Sequence, residues 1–290
     1  MALPPKPWPT GICEELQPAI RRVLAANPSP FTYTGTQTYL VGSEDALAVI
    51  DPGPDLPEHV ARLVETVGNA NVTAILCTHT HRDHSPAARL LAQRTGAPII
   101  GCAPLALETG LVRADAPFDP DYAPDRVLED GESVSGTGWT LTALATPGHT
   151  SNHLCFALKG TGALFTGDHV MGWSTTVVAP PDGDMADYMA SLARLRERDD
   201  TVYYPAHGPP VQEPRQLVRG MIAHRRQRER QILRLLEKGP AAIEDMVPQM
   251  YKSLDQRLWA AAGLSVLAHL IDLERRGMVG GCEGIWTRNG

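Results

Sequence analysis

The 290-residue chain is 43% hydrophobic, enough for a sizeable core, and its 33 Asp and Glu against 26 Lys and Arg give a net charge of −7. That acidity argues against a protein whose whole surface binds nucleic acid or anionic membrane. No continuous apolar run reaches the roughly 18 residues of a membrane span, so no membrane partner is expected.

The first residues, Met1 to Lys6 followed by Pro7 and Pro9, contain no apolar core of a signal peptide. Cys13, Cys77, Cys102, Cys155 and Cys282 are odd in number, scattered, and without C-x-x-C spacing. Buried reduced thiols in a cytoplasmic protein, rather than disulfides, are the expectation.

Residues 1–30 are proline-rich around a short amphipathic stretch, Cys13 to Leu24. Strands are predicted over 37–42 and 46–50, joined by the turn Gly42-Ser43-Glu44-Asp45 and stopped by Asp51-Pro52-Gly53-Pro54. A helix follows over about 57–67. Ala74-Ile75-Leu76-Cys77 is an apolar run of buried-strand type, and the polar loop Thr78-His79-Thr80-His81-Arg82-Asp83-His84 leaves its end. Ser85 and Pro86 predict a helix N-cap and first residue, with Gly96 closing the helix after Thr95. Residues 97–102 resume a strand, and 111–130, rich in Asp and Pro, read as an irregular loop near the site.

The remainder repeats one arrangement, a short apolar strand delivering a polar residue at its end. Strand 139–144 precedes Thr146-Pro147-Gly148-His149. The hairpin 154–158 and 163–165 precedes Gly167-Asp168. A helix capped by Asp184, with Tyr188, Leu192 and Leu195 on one face, leads to strand 201–204 and Pro205-Ala206-His207-Gly208.

The densest chemistry is the His-x-His-x-Asp-His loop. His79 and His81, two apart in an extended segment, can face one position; Asp83 and His84, past a turn, can face a neighbouring one. Imidazole and carboxylate without thiolate suit zinc, and also iron or manganese, at a catalytic site. The alternative is a polar loop with surface histidines, or a single structural metal.

In combination, these motifs resemble the metallo-β-lactamase superfamily over roughly residues 20–212. The resemblance implies an α/β fold, an αββα sandwich with two metals at one edge of the paired sheets. It implies that His79, His81 and His149 hold one metal, that Asp83, His84 and His207 hold the other, and that Asp168 bridges them. Two Zn2+ per chain are the expected cofactors, with Fe or Mn as alternatives. The secreted zinc β-lactamases of that superfamily lack an aspartate at the position of Asp168, so β-lactam hydrolysis is expected only as a weak or promiscuous activity.

Past residue 212 the composition changes. Arg215, Arg219, Arg225, Arg226, Arg228, Arg230 and Arg234 crowd one helical stretch. They form either a solvated amphipathic face or a substrate-guiding patch. Helices over about 241–251 and 258–276, the latter burying Leu264, Leu267 and Ile271, and a hairpin around Gly280-Gly281 outline a winged helix. The division expected is 1–212, catalytic, and 213–290, a linking helix with a small C-terminal winged-helix domain. The runs 224–233 and 187–192 resemble the β-lactamase-like protein 2 branch, which includes an endoribonuclease. Mixed charge at Asp272, Glu274, Arg275 and Arg276 argues against base reading and for packing on the catalytic domain or homodimer formation.

The expected chemistry is metal-dependent hydrolysis. Paired metals lower the pKa of a shared water, whose hydroxide attacks an ester, thioester, lactone or phosphodiester, and Asp83 orients it and passes on its proton. A small-molecule substrate is favoured over single-stranded RNA because of the acidity. Asp51 and His153 are candidates for holding the ligand imidazoles in one tautomer.

Overall fold

The computed structural model describes residues 3–105 and 117–289. Three strands begin the chain, β1 (Cys13–Gln17), β2 (Ile20–Leu24) and β3 (Gln37–Gly42), so the amphipathic opening stretch is a hairpin. β4 (Leu47–Ile50), α1 (Pro57–Val67), β5 (Val72–Cys77), α2 (Ala87–Thr95), β6 (Ile99–Gly101) and β7 (Arg126–Val127) complete a seven-stranded sheet in chain order. β8 (Ser133–Gly136), β9 (Trp139–Ala145), β10 (Leu154–Leu158), β11 (Ala163–Gly167), α3 (Met185–Arg196) and β12 (Val202–Pro205) supply a five-stranded sheet ordered β12-β11-β10-β9-β8.

The two sheets pack face to face. β5 is buried on both faces, which its apolar run requires, since α1 and α2 cover one side and the second sheet the other. Tyr39, Phe156 and Phe165 fill the space between the sheets. Burial of such side chains contributes about 1.5–3 kcal/mol each and sets the register of both sheets. The outer face of the second sheet presents Leu144, Cys155, Leu164 and Tyr203 to α3. The result is four layers, αββα.

Some boundaries differ from expectation. Ser85 does not cap α2: its hydroxyl donates to Asp119 at 2.8 Å, and the helix starts at Ala87 with no side-chain cap. Asp184 does cap α3, accepting from Ala186 N and Asp187 N at 2.8 and 3.1 Å. Of the expected loop 111–130, residues 111–116 lie outside the described residues. The rest is irregular except for β7 and a bridge from Phe118 to His81.

α4 (Pro214–Leu236) spans two cores. Val218, Met221 and Ile222 pack with α3, while Ile232, Leu233 and Leu236 pack with the C-terminal elements. Those are β13 (Ala241–Ala242), α5 (Ile243–Met250), α6 (Trp259–Arg275), β14 (Val279–Cys282) and β15 (Ile285–Arg288), a winged helix with its sheet ordered β13-β15-β14. The expected helix over 241–251 begins later, because Ala241 and Ala242 pair with β15.

The buried face of α6 is a correction. Leu264, Leu267 and Ile271 are only half-buried, whereas Val266, Leu270 and Leu273 are fully buried in the winged-helix core. Ser265, Ala268 and His269 bury a second side, with Ala268 in the same cluster as α3. A helix covered on two sides has no single apolar stripe, and its small residues are what allow the second contact. Among the described residues no helix is long and apolar enough to cross a membrane. All five cysteines are free, but only Cys77, Cys102 and Cys155 are buried as expected; Cys13 and Cys282, in short strands at the two ends of the chain, are exposed.

Candidate metal centre

The site forms where strands of both sheets end. β5 delivers the 79–84 loop, β9 leads to His149, β11 to Asp168 and β12 to His207. Backbone bonds lock these exits together: Leu154 N donates to Thr78 O at 2.8 Å, Ala206 N to Gly167 O at 3.0 Å, and Gln37 N to Ala206 O at 2.9 Å.

All seven residues singled out in the sequence converge here. His79, His81, His149 and Asp168 form one group of possible ligands, and Asp83, His84 and His207 a second, with donor atoms in each group within 4.8 Å of one another. Asp168 lies between them. Its Oδ2 is 3.7 Å from His149 Nε2 and 3.6 Å from His84 Nε2, and its Oδ1 is 3.2 Å from His207 Nε2.

The far side of each ring fixes which nitrogen faces inward. His149 Nδ1 donates to Val177 O at 2.7 Å, and His207 Nδ1 to Gly35 O at 3.2 Å, because a carbonyl can only accept. His84 Nδ1 donates to Asp51 Oδ2 at 3.1 Å. The Thr78 hydroxyl also donates to that oxygen, at 2.8 Å, and so accepts from His79 Nδ1 at 3.0 Å. Every one of these four rings therefore turns Nε2 toward the centre.

Those inward atoms fit cations. His81 Nδ1 stands 2.9 Å from His79 Nε2 and 3.2 Å from His149 Nε2. Two lone pairs thus face a nitrogen with at most one proton to give, an arrangement that a metal ion among the three relieves. Buried His84 Nε2 of the second group and Oδ1 of Asp168, which faces that group, make no hydrogen bond. A ligand set of imidazole and carboxylate suits zinc and iron alike.

Charge is arranged to match. Burial, with neighbouring His84 and His81, holds His79 well below the ordinary histidine range, so it is neutral and able to ligate. Burial alone would also lower His84 and His207. The carboxylates of Asp83 and Asp168 overcome it, holding His84 well above that range and His207 up at about 10. Against the opposing effect of burial, the same pairs keep Asp83 and Asp168 well below the carboxylate range.

Asp51 behaves as expected, orienting His84 and, through Thr78, His79. His153 does not touch a ligand ring by hydrogen bond. Its Nδ1 meets Thr146 Oγ1 at 2.9 Å and its Nε2 accepts from Asp168 N at 3.2 Å, so it positions the aspartate's backbone. Thr36, which donates to Asp83 Oδ2 at 3.1 Å, and the carbonyls of Gly35 and Val177 were not foreseen from the sequence. A backbone carbonyl leaves no sequence signal, and Thr36 stands 47 positions from its partner.

Asp51→Asn tests the orienting role. Asp51 has φ 47°, a conformation asparagine tolerates, so the backbone change is small. The new amide would point its NH2 at two donors, His84 Nδ1–H and the Thr78 hydroxyl, if its oxygen keeps the bond from Thr78 N. Zinc affinity, measured against a competing chelator, should fall about 10–100-fold with the fold intact. Unchanged affinity would remove Asp51 from the account.

A cavity of about 560 Å3 opens on this centre and runs to the winged helix, with Phe31, Met171 and Trp173 at one end and Tyr251, Leu254 and Leu258 at the other. α4 presents two faces. Arg215, Arg219, Arg226, Arg230 and Arg234 are exposed, while Arg225 is 3% exposed and Arg225 and Arg228 line the cavity.

Comparison with known proteins identifies the family. The chain is similar to a Drosophila melanogaster β-lactamase-like protein 2 homolog, 31% identical over 275 residues, spanning 90% of each chain. It is similar to an atrochrysone carboxyl ACP thioesterase of Cryptosporiopsis, 33% identical, across 83% of this chain and 75% of that one. The crystal structure of a β-lactamase domain protein from Burkholderia ambifaria superposes with a TM-score of 0.80 at 22% identity, covering 97% and 94% of the two chains. Residues 242–286 match the β-lactamase-associated winged helix domain, and residues 32–207 match the metallo-β-lactamase superfamily. The chain belongs to that superfamily of metal-dependent hydrolases, with the associated winged helix at its C-terminal side.

Proposed function

We propose that this protein is a dinuclear zinc hydrolase of small acyl substrates, esters or thioesters, held in the cavity between the metal centre and the winged helix. In this reading His79, His81 and His149 hold one ion, Asp83, His84 and His207 the other, and Asp168 bridges them. The observation that carries it is the Asp168 carboxylate, set within 3.2–3.7 Å of inward nitrogens from both groups.

When bound, paired divalent ions supply Lewis acidity and an activated water. The chain's own residues do the rest. Asp51, Thr78, Gly35 O and Val177 O fix the rings before substrate arrives, so little reorganisation is needed. Asp83 is the least buried of the three carboxylates that face the imidazoles, with side-chain exposure of 18% against 12% for Asp168 and 3% for Asp51. Held by Thr36, it is the group placed to take up and hand on a proton. The apolar walls exclude water from the acyl body.

The thioesterase relative supports the acyl choice, and the three buried free cysteines suit a reducing, cytoplasmic setting. The exposed arginines of α4 favour a second reading, cleavage of single-stranded RNA. A salt series with a p-nitrophenyl ester and a short single-stranded RNA separates the two. Ester turnover should be abolished by chelation and nearly flat in salt. RNA cleavage falling with a log-log slope near −0.7 per phosphate contact, and lost on neutralising Arg226 and Arg230, would replace the acyl reading.

A further inference from the structure

The cavity is lined in part by buried hydrogen-bond donors without partners. Arg225 is 3% exposed. One of its terminal nitrogens donates to Thr176 O, its guanidinium lies 5.2 Å from the Tyr188 ring centroid, and its Nε–H has no partner. Among the described residues no carboxylate forms an ion pair with Arg225 or Arg228. A guanidinium stays charged at any physiological pH, and a buried one without a counterion is costly. In a chain with 33 acidic residues, the lack of a paired carboxylate there is notable.

His224 adds a second donor. Arg228 Nε donates to His224 Nε2 at 3.2 Å, which makes Nε2 the acceptor and puts the ring proton on Nδ1. That Nδ1–H is buried and unpartnered. Burial, with Arg225 and Arg228 alongside, lowers His224 to about 4, so the ring is neutral near pH 7. Trp173 supplies a third orphan, Nε1–H, with its ring stacked on Tyr33 at 4.7 Å. Arg228 is itself held over Tyr251 at 4.1 Å and by Met250 O at 2.7 Å, which aims it from the winged-helix side.

All four residues line the cavity that opens on the metal centre. Two fixed cations and three unsatisfied N–H groups, with no described carboxylate paired to either arginine, complement a ligand rich in acceptors and negative charge. The same cavity also carries apolar side chains, among them Phe31, Met171, Val177 and Leu254.

We infer that the cavity recognises amphiphilic acyl substrates carrying a second oxyanion, a carboxylate, on an apolar or aromatic body, which Arg225, Arg228 and His224 anchor while the scissile carbonyl faces the metal centre. The word substrate here rests on the hydrolase reading above; the anion site itself does not. The winged helix thereby acts as a specificity wall, since Arg228 is positioned by residues of α5.

Binding of 4-phenylbutyrate and of neutral 4-phenyl-1-butanol to the metal-loaded protein tests this by calorimetry, without any turnover. The wild type should bind the acid at least about tenfold tighter than the alcohol, the scale of a charge-assisted pair. Arg228→Gln and Arg225→Met should each remove that preference while leaving alcohol binding within about twofold, which also shows the fold intact. Asp168→Ala should keep the preference. Equal binding of acid and alcohol by the wild type would overturn the inference, as would arginine variants that weaken both ligands alike. Loss of the preference in Asp168→Ala alone would overturn it too, by placing the carboxylate on the metals. So would tight, salt-sensitive binding of a short single-stranded RNA, lost in Arg228→Gln, with no acid preference. Failure to hydrolyse any ester would defeat the hydrolase reading and leave this binding result standing.

Discussion

Replacing Asp168 by Ala should lower turnover of any ester or thioester the wild-type protein cleaves by at least about a hundredfold, the loss seen when a preorganised charge is removed from a reacting centre. Asp168 contributes a carboxylate within reach of His84, His149 and His207, and no other described carboxylate faces both ligand groups. Losing it leaves imidazoles of both groups facing one another without the anion that holds them together. The second ion, with Asp83, His84 and His207 remaining, should be the one released. Secondary structure should be unchanged, because Asp168 stands at the exit of β11 while the core residues Phe165 and Leu164 precede it. Near-normal turnover with one ion lost would show that the bridge is dispensable.

Gly148→Ala should be severely damaging without any alteration of chemistry. Gly148 has φ +131°, and an added Cβ would lie 2.3 Å from Tyr188 Cα and 2.4 Å from Tyr188 N. Both are backbone atoms of the first turns of α3, so a side-chain rotation cannot relieve the contact. Either α3 shifts outward or the turn carrying His149 is remodelled. The cost should be about 3 kcal/mol of stability, at the upper end of overpacking effects. In the fraction that folds, displacement of His149 by about 1 Å should cost on the order of a hundredfold in rate. Thermal unfolding and kinetics on the same preparation check both; a variant as stable and active as the wild type would contradict the close approach. Gly167, at φ +48° beside Asp168, is crowded instead by side chains, with Thr78 Oγ1 2.6 Å and His153 Nε2 2.7 Å from an added Cβ.

The sequence was most legible where local chemistry alone decides. α1 runs over the expected residues because Pro57 starts it and Gly68 ends it, both acting within one turn. The ligands were legible for a related reason. Each stands just past a strand whose apolar run marks its own end, so order along the chain translates into convergence at one sheet edge. Features depending on distant partners were not legible. The Ser85 hydroxyl chooses Asp119, 34 residues away, over the helix end beside it. α6 was read from its large apolar residues, yet Ala261, Ser265 and Ala268 matter as much, because small side chains let α3 and α4 approach its second side.

Arg225 is the instructive case. Counted by charge it belongs to a basic surface, but it falls in the stripe Val218, Met221, Ile222 that continues at Ile232 and Leu233, the buried face of α4. Helical period carried that information, and charge composition obscured it. A cation at a core-facing position is expensive unless something anionic meets it, which makes the periodic reading the more informative one.

The central claim, a site built for two ions bridged by Asp168, is tested most directly by calorimetric titration of chelated protein with zinc near pH 7 in buffers of different ionisation enthalpy. Without metal, His84 is held well above the ordinary histidine range and His207 up at about 10, so both carry a proton at that pH. Their Nε2 atoms must lose it to ligate. The account predicts about two zinc ions bound per chain with net release of about two protons, and affinity that weakens as pH falls and those protons become harder to displace. Asp168→Ala should retain only the site of His79, His81 and His149. A stoichiometry of one ion or fewer in the wild type, or binding without proton release, would contradict it.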